Sequence, residues 1–375
     1  MSGIYIHIPF CKTKCSYCDF YSAVSAQYIS ALVDTIGREL KLRENYLPDK
    51  KIGTIYFGGG TPSLLEKKYF EQIFDTIYGL YQVDENAEIT FEANPDDLTP
   101  AYLEGLRSLP FNRVSIGIQS FDDADLQRLN RRHTGAEALQ AVKNAQQAGF
   151  DNISIDLIYG LPYQALQAWE KQLDTALGMG VQHISAYGLT YEEGTPIWKR
   201  RESREIQTVD DDTMTDMYRL LLDKTGKAGF KQYEISNFAL QGCRSRHNSS
   251  YWKQIPYIGL GPSAHSFDGT SRQWNVNSIK EYISEISENR IPAEREELSL
   301  SEQYNDFVMV SLRTTDGLNV CELEARFGAD FKRFCLQNIK TFIEAEKADY
   351  SDNVIRLNTD GFLVSDMIIA ELMKV

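Results

Sequence analysis

At 375 residues the chain has room for one large domain and a smaller one, each with an apolar core. A net charge of −14 and a pI near 4.9 argue against a non-specific nucleic-acid binder and against a protein held on anionic lipid by charge. The chain shows no charged segment followed by an apolar stretch of leader length, and no run approaches the ~18 apolar residues of a membrane span, so a cytoplasmic protein is expected.

Six short β-type runs recur, at 4–8, 52–57, 88–91, 114–118, 153–158 and 184–189. Amphipathic stretches lie between them, as in Tyr28, Ile29, Leu32, Val33, Ile36 and Leu40, with apolar residues three and four apart. This alternation predicts an α/β fold with a parallel sheet and right-handed crossovers, either open or curved into a barrel. A further helix is expected over 214–222, after Asp210-Asp211-Asp212, whose carboxylates suit a helix N-terminus. From about residue 230 the pattern is irregular and rich in Tyr, Asn and Ser. The segment from 301 reads as self-contained: helices near 307–312, 321–327 and 331–345, then strands at 354–357 and 362–364 around the turn signal Asn358-Thr359-Asp360-Gly361. Helices followed by a hairpin resemble a winged helix. The chain's acidity favours a structural or docking role for it over DNA binding. The expected divisions are 1–228, 229–300 and 301–375.

Cys11, Cys15 and Cys18 follow the first strand at CxxxCxxC spacing. A cubane 4Fe-4S cluster normally takes four thiolates, so three close ligands leave one iron open to a small molecule. A zinc knuckle would need a second Cys/His pair at matching spacing, and none is present. Cys243, Cys321 and Cys335 have no framework spacing and read as core or incidental thiols.

Parallel sheets bind ligands beyond the carboxyl ends of their strands, where the other motifs fall. Gly58-Gly59-Gly60-Thr61 lacks the pattern of a P-loop or a dinucleotide fold, but side-chain-free residues let backbone groups approach a ligand. Glu92, Gln119 and Asp156 sit at or just beyond strand ends, with Arg131 close by. The Arg131 fork suits a carboxylate, and Glu92 and Asp156 can accept from ammonium or hydroxyl groups. Taken singly, each reads more readily as a helix cap or a surface ion pair than as a ligand contact. His247-Asn248-Ser249-Ser250-Tyr251-Trp252 joins an imidazole, a usual axial ligand of heme iron, to two flat aromatic faces. A lone His beside aromatics is otherwise a packed core residue. His265 and His7 are further candidates, and the basic run Lys199-Arg200-Arg201 reads as a solvated surface.

The cysteine spacing and its strand context resemble the radical S-adenosyl-L-methionine (SAM) superfamily. Stretches 3–20, 57–63, 156–162 and 233–238 resemble, within it, the oxygen-independent coproporphyrinogen III oxidase family, and in particular its branch of HemW-type heme chaperones. The likeness covers essentially the whole chain. Two features select the branch: Phe20 stands where the oxidases carry a fourth cysteine (CxxxCxxCxC), and their long extension before the first strand is missing. HNxxYW marks the heme-binding members.

The resemblance implies a partial (β/α)6 TIM-like barrel of the radical SAM type with a small C-terminal winged-helix-like α+β domain. It implies a 4Fe-4S cluster on Cys11, Cys15 and Cys18, with SAM on the open iron, where a cluster electron splits it to a 5′-deoxyadenosyl radical. Around SAM it implies Tyr5, Gly59, Gly60, Thr61, Glu92, Gln119, Arg131 and Asp156, with Gly59, Gly60 and Thr61 holding the amino group. Tyr5 and Tyr17 flank the cluster loop in the same pattern. Heme would lie at His247, Asn248, Tyr251 and Trp252, for delivery to acceptor hemoproteins that include membrane respiratory enzymes, from a cluster-dependent homodimer and without any nucleic-acid partner. No catalytic residue is implied for a carrier. The rival implied by an intact SAM set is an oxidase of porphyrin biosynthesis that decarboxylates coproporphyrinogen III.

Overall fold

The computed structural model describes residues 1–374. Six strands stand where the alternation predicts them: β1 (Ser2–Ile8), β2 (Lys51–Gly59), β3 (Gln82–Ala93), β4 (Arg113–Gln119), β5 (Ile153–Tyr159) and β6 (His183–Gly188). They lie side by side in chain order, all parallel. Along each strand one residue in two is a buried aliphatic or aromatic: Ile4, Ile6 and Ile8 in β1, Ile55 and Phe57 in β2, Ile155 and Leu157 in β5. That face packs under the helices, for example on Leu32, Val33, Ile36 and Leu40 of the helix Ile29–Leu42. The period of two turns Tyr5, Tyr56, Glu92, Ser115 and Asp156 the other way, into the lumen of the curved sheet. The alternation therefore builds the core on one face and a polar chamber on the other.

The sheet runs past the predicted strands on both sides. On one side β7 (Lys231–Glu234) and β8 (Asn237–Ala239) form a hairpin along β6. On the other, β9 (Tyr257–Leu260) pairs parallel with β1, followed outward by β10 (His265–Phe267), β11 (Ser271–Asn275) and β12 (Ala293–Glu297). The order of the twelve strands is 12-11-10-9-1-2-3-4-5-6-8-7, with its two edges unjoined, so the barrel is a partial one. The added strands are three to five residues long, too short to carry a readable period, so this stretch looks irregular in the sequence.

The C-terminal segment has the helices Leu300–Leu312, Val320–Phe327 and Ala329–Glu344 and a small antiparallel sheet of β13 (Leu318–Asn319), β14 (Ala348–Ser351) and β15 (Val354–Leu357), in the order 13-15-14. Its hairpin corrects the expectation. The turn is at Asp352-Asn353, both left-handed (φ 52° and 62°), the geometry two-residue hairpin loops favour. Asn358 instead caps the helix Thr359–Leu363, accepting from the Gly361 N–H, so 362–364 does not form a strand and Phe362 is buried from a helix. One continuous apolar core includes Tyr304, Phe307 and Val308 of this segment together with the barrel strands. The Thr315 N–H donates to the Tyr233 carbonyl (3.1 Å) and the Ile235 N–H to that of Arg313 (3.1 Å), tying the segment to β7.

Candidate functional site

The cysteine loop leaves β1 at the carboxyl end of the sheet and is fixed by backbone bonds: the Cys11 N–H to the Ala23 carbonyl (3.1 Å) and the Ser16 N–H to that of Leu129 (2.9 Å). Tyr17 packs on a separate apolar cluster that includes Leu129, Ile158 and Leu161. Cys11, Cys15 and Cys18 are free and half-buried. Burial, with the neighbouring Cys15 and Cys11 adding to it, pushes the Cys18 thiol up to about 11.

A hydrogen-bond circuit links the thiols across three strand ends. Thr61 Oγ1 donates to Cys11 Sγ (3.6 Å), and Asn94 Nδ2 donates to Thr61 Oγ1 (3.3 Å). Arg131 Nη2 donates to Asn94 Oδ1 (2.7 Å) and to the Gly117 carbonyl, while its Nη1 reaches Cys15 Sγ at 3.5 Å. Arg131 Nε is buried without a partner. The guanidinium thus lies against the cysteine loop, and its spare donor suits an anionic group beside the thiols. These residues fit a cluster with an anionic ligand next to it. Among the described residues no three His, Cys, Asp or Glu converge tightly enough for a single metal ion. A cubane distributes its thiolates over separate irons and requires no such convergence.

The glycines fit backbone against backbone. The Gly60 N–H donates to the Ile8 carbonyl (2.9 Å), and a Cβ there would lie 2.7 Å from the Phe10 oxygen and 2.8 Å from that of Ile8. Gly59 has φ +104° and donates its N–H to Glu92 Oε2 (3.2 Å). Glu92 Oε1 also accepts from the Tyr56 hydroxyl (2.7 Å). Burial raises the Glu92 carboxyl to about 7, against the Tyr56 hydrogen bond and with Asp156 adding to the rise. Asp156 is raised by burial to about 6, with Ser185 and Arg113 opposing. Gln119 adopts φ 69° where the β4–β5 register shifts, and its Nε2 and the Arg131 guanidinium approach Gly117 together. A non-glycine residue in that region is strained, a feature common at ligand sites.

Tyr5, Tyr56, Glu92, Arg113, Asp156 and His247 line a lumen cavity of about 330 Å³. His247 enters it from the helix Arg246–Trp252, whose first turn is fixed by Glu88: its carboxylate accepts from the Arg246 N–H (2.8 Å) and the His247 N–H (2.8 Å). The imidazole is 2% exposed with both nitrogens engaged, Nδ1 with Thr54 Oγ1 (2.8 Å) and Nε2 with the Tyr251 hydroxyl (2.8 Å). Burial lowers its pKa to about 3, so the ring is neutral. It stacks on Tyr56 (5.0 Å), which stacks on Tyr5 (6.2 Å). Asn248 donates to the Tyr233 hydroxyl (3.3 Å). Trp252 leaves this group and lines a separate cleft outside the barrel. His265 stands on β10, stacked on Trp274 (6.1 Å); His7 lies beside Gly59, within 3.0 Å of the Tyr5 hydroxyl. Lys199, Arg200 and Arg201 end the helix Pro196–Glu202, with Arg200 paired to Glu205 and Arg201 to Glu202.

Sequence reasoning missed three members of the site. Asn94, one residue beyond β3, bridges Thr61 and Arg131; its strand-end position was the available signal. Tyr56 sits between Glu92 and His247, and only the alternation in β2 points it inward. Arg113, 2% exposed with Nε unpartnered, enters the lumen from the start of β4, away from the strand ends that motif reading inspects.

Comparison with known proteins agrees with this geometry. The radical SAM superfamily matches residues 5–176, and the HemN C-terminal domain matches residues 298–364. The heme chaperone HemW of Bacillus subtilis (strain 168) is 32% identical over 373 residues, 98% of this chain and 98% of that protein. The heme chaperone HemW of Mycobacterium tuberculosis (strain ATCC 25618 / H37Rv) is 32% identical over 99% of this chain and 94% of its own length. The chain belongs to the HemW family of radical SAM proteins. Its fold is shared with coproporphyrinogen III oxidase (HemN) from Escherichia coli, at a TM-score of 0.85, 21% identity and coverage of 100% of this chain and 90% of that one. Membership of the radical SAM superfamily implies a 4Fe-4S cluster and SAM. No helix among the described residues is long and apolar enough to cross a membrane.

Proposed function

We propose that the protein is a heme chaperone: Cys11, Cys15 and Cys18 hold a 4Fe-4S cluster, SAM binds beside it, and heme is carried for delivery to acceptor hemoproteins. In this reading 1–228 is the cluster and SAM barrel, 229–300 carries the heme motif, and 301–375 docks partners. The observation that carries it is the helix Arg246–Trp252, which brings the HNxxYW residues to the wall of the barrel in a chain similar over nearly its full length to proteins named heme chaperones.

When bound, the cluster and SAM together supply one-electron radical chemistry. The chain's residues would bind and orient. Arg131, with Asn94 fixing one arm, offers its free donor to the SAM carboxylate. Glu92, held by Tyr56 and Gly59, would accept from the SAM ammonium, and the backbone of Gly59, Gly60 and Thr61 would hold the same group. Asp156 accepts from a ribose hydroxyl, and Gln119 and Tyr5 close the walls. A carboxyl poised near 7 is ionised by a cation set against it, so SAM would release a proton from Glu92 on binding.

An anaerobic heme titration of cluster-reconstituted protein, read at the Soret band and followed by transfer to an apo-hemoprotein, tests the reading. Saturable stoichiometric binding and transfer are expected; weak, non-saturating binding would refute it. The polar lumen favours a second reading, an oxidase acting on coproporphyrinogen III, because a carrier has no evident use for a complete SAM site. Absence of protoporphyrinogen in an anaerobic assay with reductant, SAM and an intact cluster would exclude it.

A further inference from the structure

We infer that the porphyrin seat is the cleft between the outer face of the helix Arg246–Trp252 and the C-terminal segment, rather than the lumen that His247 faces. This rests on the heme-carrier reading and assigns C-terminal residues to the site. The helix separates two cavities. The lumen, about 330 Å³, is walled by Glu92, Asp156 and Arg113. An apolar macrocycle there would strip those charges of solvation with nothing to replace it. The cleft is about 650 Å³, within the range of pockets that bury a large organic ligand.

The cleft walls match an aromatic dicarboxylate. Four basic side chains, Arg244, Arg246, Lys253 and Arg326, face it against two carboxylates, Asp316 and Glu322, a net charge of +2 in a chain that carries −14. Two propionates would neutralise it. Arg244 is paired to Asp316 at 3.1 Å. Arg326 is held more loosely, 3.6 Å from Glu322 and 4.8 Å over the Phe307 ring, and Lys253 makes no ion pair among the described residues. These two cations, one on each wall, are the ones free to turn to a ligand. Trp252 supplies a flat apolar face, and the Phe307 ring lies beneath the Arg326 guanidinium. Trp252 Nε1 and Gln254 Oε1 are buried without a partner, although buried donors and acceptors are normally satisfied. His247 then acts as a positioning residue: its bond to Thr54 on β2 holds the lumen face of the helix inward, which turns Trp252 outward.

Three measurements on the full-length, cluster-reconstituted protein test the seat. Lys253→Glu/Arg326→Glu should weaken hemin binding at least about tenfold, or about 1.4 kcal/mol, with unchanged SAM affinity and melting temperature. On the wild type, protoporphyrin dimethyl ester should bind correspondingly worse than the free acid, a comparison that needs no variant to fold. His247→Gln should leave the Soret maximum where it is. Equal binding of ester and acid, or wild-type affinity in the double variant together with a shifted Soret in His247→Gln, would overturn the cleft and return the seat to the lumen. Failure of the wild type to saturate with hemin would instead refute the carrier reading itself.

Discussion

Glu92 should make the ligand-free protein less stable than its own Gln variant at neutral pH. Its carboxyl is raised from 4.5 to about 7, chiefly by burial. The folded chain therefore holds a proton that the unfolded chain has released between those values. The contribution of the neutral carboxyl is intact below about pH 4.5 and is lost as the pH rises through about 7. A rise of that size corresponds to about 3 kcal/mol. The group is exposed only to the lumen, and water there screens it, so this is a ceiling. Gln at this position keeps one carbonyl to accept from the Gly59 N–H, turns its amide N–H to the Tyr56 hydroxyl, which can accept, and removes the titration. Urea unfolding of apo wild type and Glu92→Gln should show little difference near about pH 4.5 and a variant advantage of about 1–3 kcal/mol near about pH 8, with SAM binding lost in the variant. Asp156 titrates in both proteins and largely cancels from the difference. A difference that does not grow with pH would refute the reasoning, because it would mean that Glu92 is already ionised in the apo fold.

Gly60→Ala should spoil the cluster loop: its Cβ meets two backbone oxygens at under 3 Å, overpacking of this kind costs about 1–3 kcal/mol, and iron and sulfide per chain should fall while far-UV dichroism is retained. Arg131→Lys keeps the charge but loses the fork that joins Asn94, Gly117 and Cys15. Its SAM affinity, by calorimetry, should drop about ten- to a hundredfold, and wild-type affinity would show that charge alone suffices. His247→Phe leaves the Thr54 and Tyr251 hydroxyls without their partner in a buried site, so the denaturation midpoint should fall by an amount worth about 1–3 kcal/mol.

The barrel is legible in the sequence because each of its six strands buries one face under helices and leaves the other polar, and that period survives in Ile4, Ile6 and Ile8 or Ile155 and Leu157. The edge strands are not legible, since a run such as His265–Phe267 is shorter than the pattern that would reveal it. The C-terminal hairpin was misplaced because Asn-Thr-Asp-Gly serves a helix cap as well as a turn, and only the pairing of β14 with β15 decides. In the candidate site, short motifs at strand ends are visible as spacings. Asn94 and Arg113 are not, because their significance lies in what the sheet brings beside them: Thr61 and Arg131 for the first, the lumen acids for the second.

The six-residue motif shows the same limit. Read along the chain, HNSSYW looks like one binding unit. At about 100° per residue, positions 247, 248 and 251 fall within one third of the helix circumference and 249, 250 and 252 on the remainder. The structure follows that division: His247, Asn248 and Tyr251 line the lumen, while Ser249, Ser250 and Trp252 line the cleft. Glu88 sets the rotation by accepting from the first two N–H groups, so the helix cannot turn its imidazole to the cleft without breaking both bonds and the one to Thr54 on β2. Charge-assisted bonds contribute about 1.5–3 kcal/mol each, so the two to Glu88 oppose this rotation by about 3–6 kcal/mol, a large share of the about 5–15 kcal/mol that holds a fold together. A motif of this kind can mark heme-binding proteins without its histidine touching the iron, because the residue that sets the helix and the residues that face the porphyrin are required together.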